Sequence, residues 1–204
     1  MDTLARIERT LHDALNAHGA ADAPPRLAAA VRHSVFPGGA RTRPLLCLAV
    51  AAACGDPDPL LSESAAAAIE LMHCGSLVHD DLPCFDDAPT RRGQPSVHAA
   101  FGERGAVLAG DALIVIAFEV LARGAIHNPA RLPAMVQVLC LRVGMPVGII
   151  AGQAWESEDW VALPQYQRAK TGSLFAAATE LGALAAGQPP TRWRTFGEHL
   201  GEAY

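Results

Sequence analysis

The segment SESAAAAIELMHCGSLVHDDLPCFDDAPTRRG (62–93) joins a long apolar stretch to a dense group of charges. Its first part is built mainly from alanine, leucine and other residues that favour α-helix. Its second part carries four aspartates and two arginines around Pro83, which cannot continue a helix. The segment therefore predicts a helix over 62–81 that brings a charged site to its C-terminal end.

The rest of the chain has the same helical character. Alanine clusters occur at 28–30, 51–53 and 176–178, whereas alternating strand patterns bounded by hairpin turns are hard to find. Stop signals occur at FPGG (36–39), GDP (55–57) and GQPP (187–190). We predict an all-α fold, one helical bundle over 1–204, with helices at 3–18, 25–35, 43–54, 62–81, 103–123, 129–143, 146–155, 164–186 and 192–204.

Composition excludes several classes of partner. The 204 residues are 50% hydrophobic and 18% charged, with a net charge of -5, which gives no general attraction to nucleic acid. The apolar run 106–122 is interrupted by Asp111 and Glu119, so we predict no stable membrane insertion. Five cysteines without a C-x-x-C pair and an N-terminus without an apolar signal core indicate a reduced, cytoplasmic protein.

The aspartates at the end of helix 62–81 favour a bound cation. Asp80 and Asp81 repel each other and lie at the negative end of the helix dipole. Oxygen ligands without cysteine suit Mg²⁺, which commonly binds through one or two carboxylates plus substrate phosphates. Asp80 and Asp86 would lie about 120° apart on an unbroken helix, so Pro83 must bend the chain for them to cooperate. The alternative is a polar helix end with solvated acids.

Basic residues near and far from this segment suit phosphate groups. Guanidinium groups such as those of Arg91 and Arg92 bind phosphate oxygens by bidentate hydrogen bonds. Two further basic groups occur elsewhere in the chain, Arg41 with Arg43, and Lys170 with Thr171. Separate basic groups fit two phosphate-bearing substrates, although each residue taken singly could be an ordinary solvated charge. His73 lies seven residues before Asp80 on the same helix face and could instead be a satisfied helix histidine.

The order of five motifs resembles the trans-isoprenyl diphosphate synthases. The motifs are FPGGARTRP (36–44), HCGSLVHDDLPCFDDAPTRRG (73–93), LAGDAL (108–113), AGQAWE (151–156) and KTGSLFAAATELGA (170–183). They are most similar to bacterial geranylgeranyl diphosphate synthases of carotenoid pathways. The resemblance implies an isoprenoid-synthase helical bundle, a homodimer, and head-to-tail condensation of an allylic diphosphate with isopentenyl diphosphate.

The resemblance also implies roles for single residues. Asp80 and Asp86 match magnesium ligands, with Asp81 beside them, and these three aspartates and Lys170 match the catalytic set. The allylic diphosphate side is matched by Arg91, Lys170 and Thr171, and the isopentenyl diphosphate side by Arg43, His73 and Arg92. The family often has lysine after its glycine pair, where this chain has Ala40, so Arg41 and Arg43 would have to supply that contact.

Two small residues before the aspartates bear on product length. Gly75 and Ser76 lie roughly 6 to 7.5 Å below Asp80 along the helix axis, where a growing prenyl chain would pass. Small side chains leave room there, and an aromatic would close the path, as in family members that stop at farnesyl. We therefore predict geranylgeranyl diphosphate as product, with farnesyl diphosphate as the alternative.

The resemblance raises one further expectation, because the family's second aspartate-rich motif would follow FGEHLGEAY and the sequence ends at Tyr204. We expect the 204 residues to be an incomplete synthase that turns over poorly. A non-catalytic synthase-like subunit would also explain this. A metal-dependent phosphohydrolase centred on His79 and Asp80 is a third hypothesis, which requires further metal-binding histidines on neighbouring helices.

Overall fold

The structure, a computed structural model, describes residues 2–19, 22–36 and 38–204 and confirms the all-α prediction. Pro37, in one of the predicted helix stops, lies outside the described residues. The elements are α1 (Thr3–His18), α2 (Pro25–Val35), α3 (Thr42–Ala53), α4 (Pro59–Asp80), β1 (Thr90–Arg91), β2 (Gln94–Pro95), α5 (Val97–Phe101), α6 (Glu103–Gly124), α7 (Leu132–Val143), α8 (Ile149–Trp155), α9 (Leu163–Gln167), α10 (Ser173–Ala185) and α11 (Thr191–Ala203).

Helix α4 lies at the centre of the bundle. It begins at Pro59, three residues before the predicted start, because the Asp58 side chain caps the helix by accepting a hydrogen bond from the Leu61 N–H at 3.2 Å. Its alanine-rich first half is buried and packs on α3, α6 and α10. Partly exposed residues appear mainly in its last two turns, so its C-terminal end is where polar groups reach solvent.

Small residues and a buried ion network hold the other helices against this core. Gly182 on α10 lies so close to α3 that a Cβ atom there would overlap the Cys47 carbonyl oxygen. On α7, the buried Arg142 guanidinium donates to Glu180 at 2.8 Å and to Glu198 at 3.1 Å. These contacts fix α7, α10 and α11 relative to one another.

Besides α4, three predicted helices differ from the structure by more than one residue or by an interruption. The predicted helix 129–143 begins with a 3₁₀ turn (Pro129–Arg131) before α7, and the predicted helix 146–155 begins at Ile149. The predicted helix 164–186 contains a π-helical turn, Arg168–Gly172, between α9 and α10. π-turns within helices occur frequently at functional sites, and this one carries Lys170.

Helix α6 combines a buried and an exposed apolar face. The segment Glu103–His127 is long and apolar enough to cross a membrane by length and composition alone, with 44% of its most apolar window buried inside the bundle. The buried face packs along α4. The opposite face exposes Val107, Leu108 and Val115.

The packing at Gly182 predicts a measurable loss of stability. Gly182→Ala adds a methyl group where backbone blocks it, so we expect the free energy of unfolding to fall by about 1–3 kcal/mol. Gly19→Ala, at an exposed helix end where the nearest atom is 3.4 Å from the added Cβ, is the matched control and should stay within about 0.5 kcal/mol. Urea unfolding of both variants checks this, and equal stability would contradict the packing described.

Candidate active site

The chain turns back sharply after α4, as the position of Pro83 predicts. The Asp86 N–H donates to the Asp80 carbonyl oxygen at 3.0 Å, and the Ala88 N–H donates to the Asp81 carbonyl oxygen at 3.2 Å. The turn thereby places Asp86 beside the helix end that carries Asp80.

Asp80 and Asp86 together form an acidic face that suits a hard cation. Burial raises the pKa of Asp80; Lys170 opposes this rise, and the nearby carboxylate of Asp86 adds to it. Among the described residues, no group of three or more His, Cys, Asp or Glu side chains could hold a metal by itself. Two carboxylates completed by phosphate oxygens and water match the way Mg²⁺ binds, so these residues fit that ion.

The absence of a histidine-rich cluster from the described part of the chain also bears on the phosphohydrolase hypothesis. That hypothesis requires several histidines around one metal, and His79 belongs to no metal-binding group of three or more His, Cys, Asp or Glu side chains among the described residues. Its ring lies against Gly110 on α6, and its Nε2 atom is 3.3 Å from the Val107 carbonyl oxygen. His79 therefore packs between helices, which counts against this hypothesis.

Asp81 lies inside the fold, unlike its neighbour Asp80. Only 2% of its surface is exposed, and its carboxylate forms an ion pair with Arg91, whose Nε atom is 3.0 Å from Asp81 Oδ1. Arg91 belongs to the short hairpin β1–β2, which the sequence analysis missed. Asp81 thus holds the Arg91 guanidinium next to the acidic face.

The hairpin turn also orients the second arginine. Arg92 and Gly93 both have positive φ, at 53° and 78°, as a two-residue hairpin turn requires. The Arg92 side chain crosses Gly39, where an added Cβ would lie 2.9 Å from its Nε atom. Gly39, the second glycine of FPGGARTRP, therefore leaves room for Arg92, whereas Gly38 lies against Arg41.

Arg41 does not take part in the site, which corrects one expectation from the sequence. Its side chain is fully buried and donates to Glu70 at 2.6 Å, to Glu8 at 2.8 Å and to the Val35 carbonyl oxygen at 2.9 Å. A guanidinium bonded to two carboxylates and a carbonyl links Glu8 of α1 and Glu70 of α4, and its full burial keeps it out of reach of a phosphate in solution.

Arg43 and His73 lie close together in the structure. Arg43 Nη1 lies 3.5 Å from His73 Nε2, and the guanidinium stacks over the Phe175 ring at 4.8 Å. Burial, reinforced by Arg43 and Arg92, lowers the pKa of His73 to about 3. His73 is therefore neutral at physiological pH and can accept a hydrogen bond.

Lys170 faces Asp80 from the π-helical turn, with Nζ 4.0 Å from Asp80 Oδ1. The same ammonium donates to Glu156 Oε1 at 2.6 Å, an oxygen that also accepts the Tyr166 hydroxyl at 2.5 Å. Burial alone would lower the pKa of Lys170, but its hydrogen bond to Glu156 and the charge of Asp80 raise it. Thr171 is half-buried in the same turn. The sequence analysis missed Glu156 and Tyr166, although Glu156 ends the AGQAWE motif.

A mostly apolar cavity of about 500 Å³ lies beside this charged face. Its polar lining consists of Asp80 and Lys170 together with His79, Asp111 and Gln153. Apolar side chains from α4, α6, α7 and α8 complete the wall, among them Met72, Ile114, Val143, Ile149 and Ile150. Ser76 lines it as well. Gly75 instead faces α6, where an added Cβ would lie 3.3 Å from the Gly110 carbonyl oxygen. Of the two predicted chain-length residues, only Ser76 borders the cavity.

Neutral, buried His73 predicts a pH-dependent contribution to stability. Between about pH 6.5 and 3 the unfolded chain binds a proton at this histidine and the folded chain does not, so the free energy of unfolding falls as the pH falls. His73→Gln should make the loss of stability between pH 7 and pH 4.5 shallower in urea unfolding. The exposed His127→Gln is the control and should retain the wild-type slope; a wild-type slope in His73→Gln would contradict the prediction.

Comparison with known proteins agrees with this geometry. The polyprenyl synthetase family profile matches residues 24–204. Geranylgeranyl diphosphate synthases of Cereibacter sphaeroides and Rhodobacter capsulatus are 55% and 52% identical over 199 residues, covering 98% of this chain and 69% of each relative. The crystal structure of a geranyltransferase from Legionella pneumophila has a TM-score of 0.85 at 35% identity, covering 98% of this chain and 73% of that one. The chain belongs to the polyprenyl synthetase family.

Proposed function

We propose that this protein is a short-chain trans-prenyltransferase that condenses allylic diphosphates with isopentenyl diphosphate, head to tail, to give geranylgeranyl diphosphate. The observation that carries the proposal is the cavity between α4, α6 and α8, whose wall is mostly apolar and also carries the charges of Asp80 and Lys170. An allylic diphosphate likewise combines a charged head with a hydrocarbon tail. The two curated relatives named above are geranylgeranyl diphosphate synthases.

The acidic face and the bases around it suit the diphosphate head. Asp80 and Asp86 would hold Mg²⁺, which supplies positive charge that neutralises the departing diphosphate. Lys170 and Arg91 add donors preorganised by Glu156 and Asp81. Donors aimed at developing charge are an effective source of catalysis, and removing one typically lowers the rate by roughly 10²–10³-fold.

A second basic group, formed by Arg43, His73 and Arg92, suits isopentenyl diphosphate. The Arg43 guanidinium stacks on Phe175, and the Arg92 side chain lies against Gly39. Because Arg41 is committed to Glu8 and Glu70, Arg43 and Arg92 supply the positive charge at this position, where the chain has Ala40.

The two groups together support one chemical sequence. As the allylic carbon–oxygen bond breaks, Lys170 and Arg91 stabilise the diphosphate that takes the bonding electrons. The double bond of isopentenyl diphosphate then attacks the allylic cation, and loss of a proton restores a double bond in the product. The apolar walls, among them Met72 and Ile149, exclude water that would otherwise capture the cation.

The proposed product length depends on Ser76. Its small side chain borders the cavity one helical turn below Asp80, so it leaves space for a longer tail. Farnesyl diphosphate is the alternative product. A non-catalytic subunit is less consistent with the site, since such a subunit has no need to keep Lys170 opposite Asp80.

We further propose a cytoplasmic homodimer. Val107, Leu108 and Val115 are exposed hydrophobic residues on α6, and contact with a second copy would remove them from water. The five cysteines are free thiols, with Cys47 and Cys74 buried, as expected in a reducing compartment.

Condensation of farnesyl diphosphate with isopentenyl diphosphate tests the proposed function. With the protein as its gene encodes it, we expect Mg²⁺-dependent formation of geranylgeranyl diphosphate, which chromatography of the extracted product detects. Asp80→Asn should lower kcat by roughly 10²–10³-fold. Removal of Mg²⁺ with a chelator should stop the reaction.

Asp87→Asn is the matched control. Asp87 is exposed, one residue beyond Asp86, and its left-handed backbone (φ 46°) suits asparagine equally well, so activity should be retained. Full activity in Asp80→Asn, or release of inorganic phosphate without prenyl condensation, would contradict the proposed function.

Ser76→Phe tests the product-length assignment. The ring would enter the cavity below Asp80 and shorten the path for the tail, so we expect the main product to change from geranylgeranyl to farnesyl diphosphate when geranyl diphosphate is the starter. Ser76→Ala adds no volume and should leave the product unchanged. An unchanged product in Ser76→Phe would show that the tail does not pass Ser76.

A further inference from the structure

Lys170 is held by two side chains that the proposed diphosphate site does not itself require. Glu156 Oε1 accepts the Lys170 ammonium at 2.6 Å and the Tyr166 hydroxyl at 2.5 Å, so one carboxylate oxygen binds both donors. The ammonium also lies 5.9 Å from the centre of the Tyr166 ring. Glu156, Tyr166 and Lys170 therefore form one connected group at the edge of the cavity.

The backbone keeps this group in a fixed arrangement. Glu156 directly follows α8, Tyr166 lies in α9, and Lys170 lies in the π-helical turn. Helix α8 crosses that turn at Gly152, where an added Cβ would lie 2.8 Å from Lys170 Cβ. This close approach fixes the position of Glu156 relative to the base of the Lys170 side chain.

The arrangement reduces the entropy that the lysine side chain loses when it binds a phosphate. A lysine side chain has four flexible torsions, and ordering it costs up to about 2 kcal/mol of side-chain entropy. Glu156 orders the side chain before substrate arrives, and it occupies one of the three ammonium donors. The remaining donors stay available on the side of Asp80, which lies 4.0 Å away.

We propose that Glu156, supported by Tyr166, is a positioning residue that holds the Lys170 ammonium toward the allylic diphosphate beside Asp80. The proposal rests on the function proposed above. In this role Glu156 does more than stabilise α8, and it does not compete with the diphosphate for Lys170.

A double-mutant cycle tests the coupling between the two side chains. Glu156→Gln keeps the shape and removes the charge, and Lys170→Met removes the ammonium. We expect Glu156→Gln to lower kcat/KM for the allylic diphosphate about tenfold, with KM for isopentenyl diphosphate unchanged. In the Lys170→Met background the same change should have no further effect. Glu156→Asp should recover part of the loss, and Tyr166→Phe should show a smaller loss in the same parameter.

Calorimetric binding of inorganic diphosphate with Mg²⁺ gives a second readout that needs no turnover. We expect Glu156→Gln to bind it about tenfold more weakly than wild type, with an unchanged Tm because Glu156 is at the surface. Additive losses in the cycle, or equal or tighter diphosphate binding by Glu156→Gln, would overturn the proposal. A wild-type protein that binds diphosphate but forms no prenyl product would instead contradict the function proposed above.

Discussion

The burial of α4 is the constraint on which the rest of the structure depends. A helix surrounded by α3, α6 and α10 presents polar groups to solvent where it leaves the core, and the C-terminal end of α4 is one such place. Asp80 and Asp81 lie there, at the negative end of the helix dipole. Negative charge concentrated at one end of a buried helix requires cations, and the fold provides Arg91 from the hairpin and Lys170 from the π-helical turn.

Each of these cations is held by an acid of its own. Arg91 is paired with the buried Asp81, and Lys170 with Glu156. The acids fix the direction in which the guanidinium and the ammonium point, while Asp80 lines the cavity with Asp86 close to it. Asp80 and Asp81 thus differ in setting although they are neighbours in sequence, since Asp81 is buried against Arg91.

The elements predicted well are those whose signal is local. The helices at 3–18 and 25–35 have the predicted bounds, the second of them with proline at its start, and the chain turns back after Pro83 so that Asp86 bonds to Asp80. The hairpin was missed because its strands have two residues each and its turn places an arginine in the left-handed region. The π-helical turn was missed because a π-turn has the same apolar and polar pattern as the helix around it.

The errors at single residues arise from contacts distant in sequence. Arg41 has the composition of a phosphate ligand, but Glu8 and Glu70, 33 and 29 residues away, bury and satisfy it. Gly75 differs from Ser76 by one helical position, about 100° around the axis, which turns it from the cavity toward α6. The hydrogen bond between Glu156 and Lys170 depends on the packing of α8 against the π-helical turn. Such roles depend on helix packing, which a single sequence does not encode locally.

The most direct test is a crystal structure of the protein with Mn²⁺, as a substitute for Mg²⁺, and inorganic diphosphate. The account predicts an anomalous peak between the carboxylates of Asp80 and Asp86, with diphosphate oxygens bound to Lys170 and Arg91, and with Glu156 still bonded to Lys170. A metal peak away from both aspartates, or diphosphate bound without contact to Lys170, would contradict it.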